Sequence, residues 1–308
     1  MRYPRLIMIL VCIIGCGFLF ANDSVKIVFY NVENLFDTQH DTLKNDSAFL
    51  PDGAYHWNHY RYYRKLDHIA QVITNIAGWG NVPIVGLCEV ENAHCLQDLC
   101  KKLRRLNYNF VHYESYDERG IDVALLYDTT AVKVLSSKAL KVDLRGDKTR
   151  DILYVQACVN IHDTLHIMVC HLPSQLGGST ASEWKRTAAK QLLQQQVDSI
   201  LRLSPSAKIV IMGDMNSDPK DDLFAMSNKM LPFVTSNKGT HKYQGIWSCL
   251  DQFYVSHSLK NKAQVLIFSP DWLLEEDIKY LDFKPRRNYS GYRYQDGYSD
   301  HLPIILTF

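Results

Sequence analysis

The sequence predicts an α+β protein: two packed, mainly antiparallel sheets with a few helices outside them. Three observations lead there. Short apolar runs of strand length recur from Val25 to the C-terminus. Helical periodicity is confined to a few stretches between them. No low-complexity linker or internal repeat divides the chain.

Taken in order, Val25–Tyr30 reads as a strand. Tyr60–Ile76 reads as a helix, because Leu66, Ile69, Ala70, Ile73 and Ile76 fall on one stripe. Val82–Leu87 is the next strand and Cys95–Leu106 the next helix. Strands follow at Phe110–Tyr113, Asp122–Tyr127, Ile152–Asn160 and Thr164–Cys170, with His162-Asp163 as a hairpin turn. Thr180-x-x-Glu183 is a capping-box pattern that opens a helix to about Leu203. Its stripe is Ala189, Leu193, Val197 and Ile200, and Arg186 projects into the same stripe. A charge there serves either an internal ion pair or an anion beside the His171 loop. The last strands are Lys208–Met212, Gln252–Val255, Val265–Phe268 and Pro303–Phe308. Leu281–Tyr298 lacks periodicity and mixes Lys284, Arg286, Arg287 and Arg293 with Phe283 and several tyrosines. Long irregular segments of this kind often serve function.

Composition narrows the class. With 308 residues, 46% hydrophobic and 22% charged, the chain can bury a sizeable core. A formal charge of +1 excludes a global basic field for nucleic acid. Residues 1–21 read as a secretory signal peptide: Arg2 and Arg5 precede the uncharged run Leu6–Phe20, and Ala21 offers a cleavage site. Residues 22–308 then form one domain. Export places the protein outside the cytoplasm, secreted or periplasmic. An alternative is a lipoprotein anchored through Cys16 of Ile13-Ile14-Gly15-Cys16, although Phe18-Leu19-Phe20 follows where polar residues are expected. Six of the eight cysteines lie after Ala21, with no CxxC, so zinc ribbons are disfavoured and buried reduced thiols expected.

Several apolar strands end in Glu, Asp, Asn or His. Val25–Tyr30 runs into Asn31-Val32-Glu33-Asn34, and Ile84–Cys88 into Glu89-Val90-Glu91-Asn92. Leu165–Cys170 runs into His171-Leu172-Pro173-Ser174, and Ile209–Gly213 into Asp214-Met215-Asn216. Ser299-Asp300-His301 precedes the last strand. Carboxylate and amide oxygens suit a hard cation, and histidine adds acid–base capacity. No histidine spacing elsewhere suggests a metal; His56, His59 and His68 read as surface or packing residues.

These endings, in this order, resemble the endonuclease/exonuclease/phosphatase superfamily, the deoxyribonuclease-I-like fold. The carriers are FYNVENLFD at 29–37, LCEVEN at 87–92, RGIDVALLY at 119–127, CHLPSQ at 170–175, GDMNSDP at 213–219, CLDQFYVS at 249–256 and SDHLP at 299–303. The wording looks most like exported bacterial members. The resemblance implies a four-layered α/β sandwich with its site at one edge of both sheets. It assigns Glu89 as principal metal ligand, Asn31 in support and Asp300 near the metal. Asp214 and Asn216 would orient the attacking water and the phosphate, with Asp214 as a candidate base. Asp251 would hold His301, and His171 would serve as stabiliser or acid. Arg119, Arg186 and Asp122 are placed on the substrate side, Arg119 touching phosphate and Asp122 orienting His171. Glu33, Glu91 and Asp218 read as loop structure.

The implied cofactor is magnesium, with manganese as a substitute. The partner is a phosphate ester, nucleic acid among the candidates; no obligate protein partner or integral membrane association is implied, and a monomer is expected. The expected activity is a secreted, divalent-metal-dependent phosphodiesterase of nuclease type. The rival readings are a phosphomonoesterase, a lipid phosphodiesterase of sphingomyelinase or phosphoinositide phosphatase type, and an inactive binding module. The sequence shows no clear exposed apolar hairpin for a lipid surface, and the full acid–base set argues against the inactive module. Intact-mass measurement on material from the native host checks the export reading. A mature chain beginning near Asn22 is the expected result, a diacylglyceryl-Cys16 would install the lipoprotein variant, and retention of Met1 would refute both.

Overall fold

The computed structural model describes residues 24–160, 163–175, 179–219, 229–233 and 239–308. The leader, His162 and the Thr180 side chain of the capping-box pattern fall outside the described features. The strands are β1 (Lys26–Leu35), β2 (Ile84–Val90), β3 (Tyr108–His112), β4 (Asp122–Asp128), β5 (Val132–Leu140), β6 (Ile152–Val159), β7 (Asp163–His171), β8 (Lys208–Asp214) and β9 (Met230–Phe233). They continue with β10 (His241–Tyr243), β11 (Ile246–Ser248), β12 (Asp251–Ser256), β13 (Gln264–Ile267), β14 (Leu274–Asp277), β15 (Asp282–Pro285), β16 (Tyr289–Ser290), β17 (Arg293–Tyr294) and β18 (Ile304–Thr307). The helices are α1 (His59–Ala77), α2 (Ala93–Lys102) and α3 (Ser179–Leu203).

Two six-stranded sheets have orders β13-β18-β1-β2-β4-β3 and β5-β6-β7-β8-β12-β9. Each contains one parallel pair, β1 with β2 and β7 with β8, and is otherwise antiparallel. A parallel pair needs a crossover, and the helices α1 and α3 lie in the two crossovers. Alternation along the strands then sorts the side chains into three apolar layers. Ile27, Phe29, Ile84, Ile167, Val210, Met212 and Phe253 fill the space between the sheets. Val28, Tyr30, Val85 and Leu87 face the opposite way, onto Leu66, Ile69 and Ile73 of α1. Ile209 and Ile211 likewise pack with Leu193 and Val197 of α3. Helix, sheet, sheet and helix make the four layers that the resemblance implies. Burying one such side chain fully contributes roughly 1.5–3 kcal/mol.

Local chemistry fixes the element ends. Asn58 caps α1 by accepting from Arg61 N, and Gly78 ends it at φ 59°. Asn92 caps α2 by accepting from Cys95 N, so the last residue of LCEVEN is a cap. The helix expected to reach Leu106 stops at Lys102, and a 3-10 turn at Arg104–Leu106 leads into left-handed Asn107. Gly213 permits close approach of β8 to β7. A Cβ there would collide with the Cys170 carbonyl oxygen and Sγ, just before Asp214.

β5 escapes the sequence pattern because it is an edge strand whose exposed positions include Lys133 and Ser136. Three small hairpins escape it too: β10–β11, β14–β15 and β16–β17. Two of them correct the expectation that no apolar hairpin is exposed. Lys242, almost wholly buried, ties β10 to the other hairpin through Asp282 at 2.7 Å and Asp277 at 3.4 Å. The Tyr280 ring lies against the Gly245 turn. The resulting arm exposes Tyr243, Ile246, Ile278 and Leu281, the last at 93%. Ile278 and Leu281 sit in a turn, and Tyr243 and Ile246 end the short strands β10 and β11, so their exposure follows from tertiary pairing that periodicity does not report. Of the six cysteines after Ala21, Cys88, Cys95 and Cys170 are buried, as expected, whereas Cys100, Cys158 and Cys249 are partly exposed.

Candidate active site

Strand parity carries the site. Ile27 and Phe29 face the inter-sheet layer, so Asn31, two residues on, faces it too. The same count places His171 after Ile167 and Val169, Asp214 after Val210 and Met212, and Asp251 before Phe253 and Val255. All four lie at one end of the sandwich, where the apolar layer stops.

Parity does not place Glu89, because Cys88 already faces the inter-sheet layer. The backbone solves this with an irregularity. The β2–β4 register shifts between Cys88 and Val90, and Glu89 has φ 65°. A left-handed residue at a bulge re-aims its side chain, at a cost of roughly 1–2 kcal/mol. Glu33 and Asn34 are also left-handed, where β1 and β2 lose register. The two motifs then lock together. Asn34 N donates to Glu89 Oε2 at 2.9 Å, Asp37 N to Glu91 Oε2 at 2.7 Å, and Asn92 Nδ2 to Asp37 Oδ2 at 3.0 Å.

Asp214 Oδ2 is the hub. Asn31 Nδ2 donates to it at 3.1 Å and reaches Glu89 Oε1 at 3.3 Å, crossing between the sheets. His171 Nε2 lies 3.6 Å from Asp214 Oδ2 and 3.9 Å from Glu89 Oε1. His301 Nε2 lies 3.8 Å from the same Asp214 oxygen, while its Nδ1 meets Asp251 Oδ2 at 2.7 Å. Asn216, left-handed at φ 50°, donates its N–H to Asp214 Oδ1 and its amide to Leu172 O. Ser299 Oγ donates to Asn31 O and accepts from His301 N, which seats SDHLP on the first motif.

The electrostatics separate the two histidines. Burial lowers His301, but the Asp251 carboxylate and its hydrogen bond, then Asp214 and Asp300, raise it well above its ordinary value. His301 therefore carries its proton at neutral pH. Burial lowers His171 well below its ordinary value, with Arg150, Arg119 and His301 acting the same way, so it is neutral. Burial pushes Asp214 up to about 7; His301 pulls it down, and Asp251 and Glu89 push it up. That value suits a group that takes a proton near neutrality.

The structure brings together Asn31, Glu89, His171, Asp214, Asn216, Asp251 and His301. Asp300 stands to one side, within 4.8 Å of His241 and His301, with Oδ2 held by Arg287 at 3.1 Å. Arg119 is exposed and close enough to lower His171. Arg186 is buried and donates to Pro173 O and Ser182 Oγ, which fastens the loop after His171. Asp122 does not orient His171, and that expectation is corrected. Its carboxylate accepts from Ser115 N and Oγ and lies 3.8 Å from His112 Nε2, while His171 Nδ1 has no hydrogen-bond partner among the described residues. The Ser115 turn captures Asp122 before it can reach another sheet. Asp218 accepts from Cys249 N, and Glu91 from Asp37 N, as loop structure.

Sequence reasoning missed His241 and Arg150. His241 bridges to His301 through the backbone, with ring centroids 4.8 Å apart. Arg150 is buried, donates to His171 O and Leu172 O, and pairs with Asp117 at 3.1 Å. Neither stands at the end of a long apolar run, so no pattern marked them.

The donor set fits a divalent cation. Glu89 is more open than Asp214 or Asp251, with its side chain 15% exposed. Among the described residues, neither Glu89 nor Asp214 has a lysine or arginine within ion-pair distance. Oxygen donors without a thiolate suit magnesium or manganese better than zinc.

A model of the endonuclease/exonuclease/phosphatase family matches residues 26–308. Among curated proteins no sequence matches. Solved structures do. A humanised D. rerio TDP2 is 15% identical, with 93% of this chain and 99% of that one covered and a TM-score of 0.59. A mannosyl-6-phosphatase from Bacteroides thetaiotaomicron is 15% identical over 92% and 99%, at 0.59. The catalytic domain of human Nocturnin with bound sulfate is 14% identical over 92% and 94%, at 0.58. At these identities the likeness is one of fold.

Replacing Asp251 with Asn removes the largest upward influence on His301 and leaves burial to dominate. By NMR titration the His301 pKa should fall, and turnover should drop about 10²–10⁴-fold while the fold persists. The pair stabilises the fold below the ordinary histidine value near 6.5, and that contribution is lost only as pH rises through the raised one. Unchanged turnover and titration in the folded variant would remove Asp251 from the site.

Proposed function

The chain belongs to the endonuclease/exonuclease/phosphatase family of metal-dependent phosphoric ester hydrolases, and from that premise we propose that it hydrolyses phosphodiesters with magnesium held at Glu89. The observation that carries this reading is the Asp214 hub. One carboxylate oxygen faces Asn31, neutral His171 and charged His301, beside a Glu89 that, among the described residues, has no lysine or arginine within ion-pair distance.

Glu89 would hold the ion, with Asn31 in support and Asp300, held by Arg287, near it. When bound, the ion offsets charge on the phosphate and on the leaving oxygen. Asp214 takes the proton of the attacking water. Asn31 fixes the Asp214 carboxylate, and Asn216 closes the loop behind it. His301, kept positive by Asp251, faces the charge that develops on phosphate oxygens. A neutral His171 serves as a hydrogen-bond donor to phosphate, which favours the stabiliser role over the acid. Arg119 supplies a further cation at the mouth, and Arg186 acts through the loop it fastens.

Nuclease-type substrates remain the first reading, on altered grounds. The cations of 281–298 are largely engaged: Arg286 lies over the Tyr298 ring, Arg287 pairs with Asp300, and Lys284 with Glu275. Tyr289 and Tyr298 are buried. Exposed Arg293 and Tyr292 remain as nucleic-acid contacts there. The apolar arm supports a second reading, a phosphoester carrying an apolar tail. It starts at His241, beside the dyad, and places Tyr243 about 7 Å further along the strand. Exposed apolar groups clustered like this mark interaction surfaces. Export of the mature chain belongs to the same proposal.

Glu89→Gln keeps the shape and removes one ligand charge. Magnesium should raise the melting temperature and switch on cleavage of bis-nitrophenyl phosphate in the wild type, and the variant should lose both responses, with activity down by at least about 10²-fold. Full activity in excess EDTA would refute the mechanism. Plasmid DNA and sphingomyelin vesicles separate the substrate readings. The paired change Ile278→Ser and Leu281→Ser should spare the small diester and plasmid while reducing vesicle hydrolysis; no vesicle hydrolysis by the wild type would end the second reading.

A further inference from the structure

Glu33 and Asp300 form a second pair of carboxylates beside the Glu89 centre. Arg287 Nη2 lies 3.1 Å from Asp300 Oδ2 and 3.6 Å from Glu33 Oε1, so one guanidinium nitrogen spans both. Asn288 N donates to Glu33 Oε2 at 2.7 Å. Lys65, 1% exposed, approaches from α1 and donates to Tyr298 O; its charge acts on Glu33, Asp300 and Glu89.

A buried lysine on an apolar helix stripe is unusual unless it is compensated. Arg287 pairs with both Glu33 and Asp300, whereas among the described residues no lysine or arginine lies within ion-pair distance of Glu89. His241, Asp300 and His301 also come within 4.8 Å of one another, as ligands would. Asp300 is engaged by Arg287, however, and His301 by Asp251.

We propose that Arg287 and Lys65 are built-in counter-ions that take the place of a second divalent cation at the Glu33–Asp300 pair, so that the centre binds one divalent ion, at Glu89. The inference rests on the metal centre proposed above and sets its stoichiometry. Arg287 is a positioning residue that holds Glu33 and Asp300, and Lys65, buried and bonded to Tyr298 O, adds its charge from α1; neither touches a reacting atom. They also give the irregular segment 281–298 a role in the site that does not require nucleic acid.

Calorimetric titration of manganese into the purified, folded full chain tests the proposal. The wild type should bind one ion. Arg287→Met exposes the carboxylate pair and should admit a second ion or tighten binding ~3–10-fold, a modest effect because Arg287 is half-exposed. Arg287→Lys should restore single-ion binding, which a packing role for Arg287 would not predict. If Arg287→Met does not fold, Lys65→Met carries the same expectation. Two ions of similar affinity in the wild type would overturn the proposal, as would unchanged stoichiometry and affinity in folded Arg287→Met. No binding by the folded wild type would instead refute the metal centre itself.

Discussion

The architecture of the site depends on one constraint: several carboxylates converge where the apolar layer between two sheets ends. Asp214 and Asp251 are almost wholly buried, Glu89 lies beside them, and Asp300 and Glu33 follow within the same rim. In a region of reduced dielectric such charges raise one another's pKa or demand cations. The molecule answers with different cations. A protonated histidine serves Asp251, and a guanidinium pairs with Glu33 and Asp300; in the proposed reading Glu89 is left for an ion from solution. The left-handed backbone at Glu89 is strained, and it persists because Asn34 N and the β2 irregularity hold it there.

Convergence itself follows from topology. Each sheet contains one parallel pair joined through a helix, and the C-terminal ends of all four strands point to the same rim. A side-chain period of two then brings Asn31, His171 and Asp214 to the inner face without special provision. The two sheets supply different functions. The first gives Asn31 and Glu89, the second His171, Asp214 and Asp251, and the Asn31–Asp214 hydrogen bond closes the gap between them. Packing of the sheets and assembly of the site are therefore the same event.

Much of this was legible in the sequence. The apolar runs gave the strands of both large sheets except the β5 edge and the short β9. Polar residues at their ends marked the main cluster. What failed depended on contacts distant in sequence. Asp122 was assigned to His171 because it opens a strand, but Ser115, seven residues away, captures it. Arg287 lies 254 positions from Glu33, and nothing local reports that pairing. Lys65 had a signal that went unread: it sits on the α1 stripe beside Leu66, one turn from Ile69. Arg186 on α3 shows the same pattern and proves equally buried. A charge on an apolar helix stripe marks a group whose partner lies elsewhere in the fold. The exposed turns at Ile278 and Leu281 were missed because turns carry no periodicity.

The account stands or falls on where an ion binds. Anomalous diffraction from crystals grown with manganese locates it directly. One peak should lie about 2.1–2.3 Å from a Glu89 carboxylate oxygen, with Arg287 still between Glu33 and Asp300. A peak between Glu33 and Asp300, one at His241–Asp300–His301, or none at Glu89 would contradict the claim that the uncompensated charge of this rim resides there.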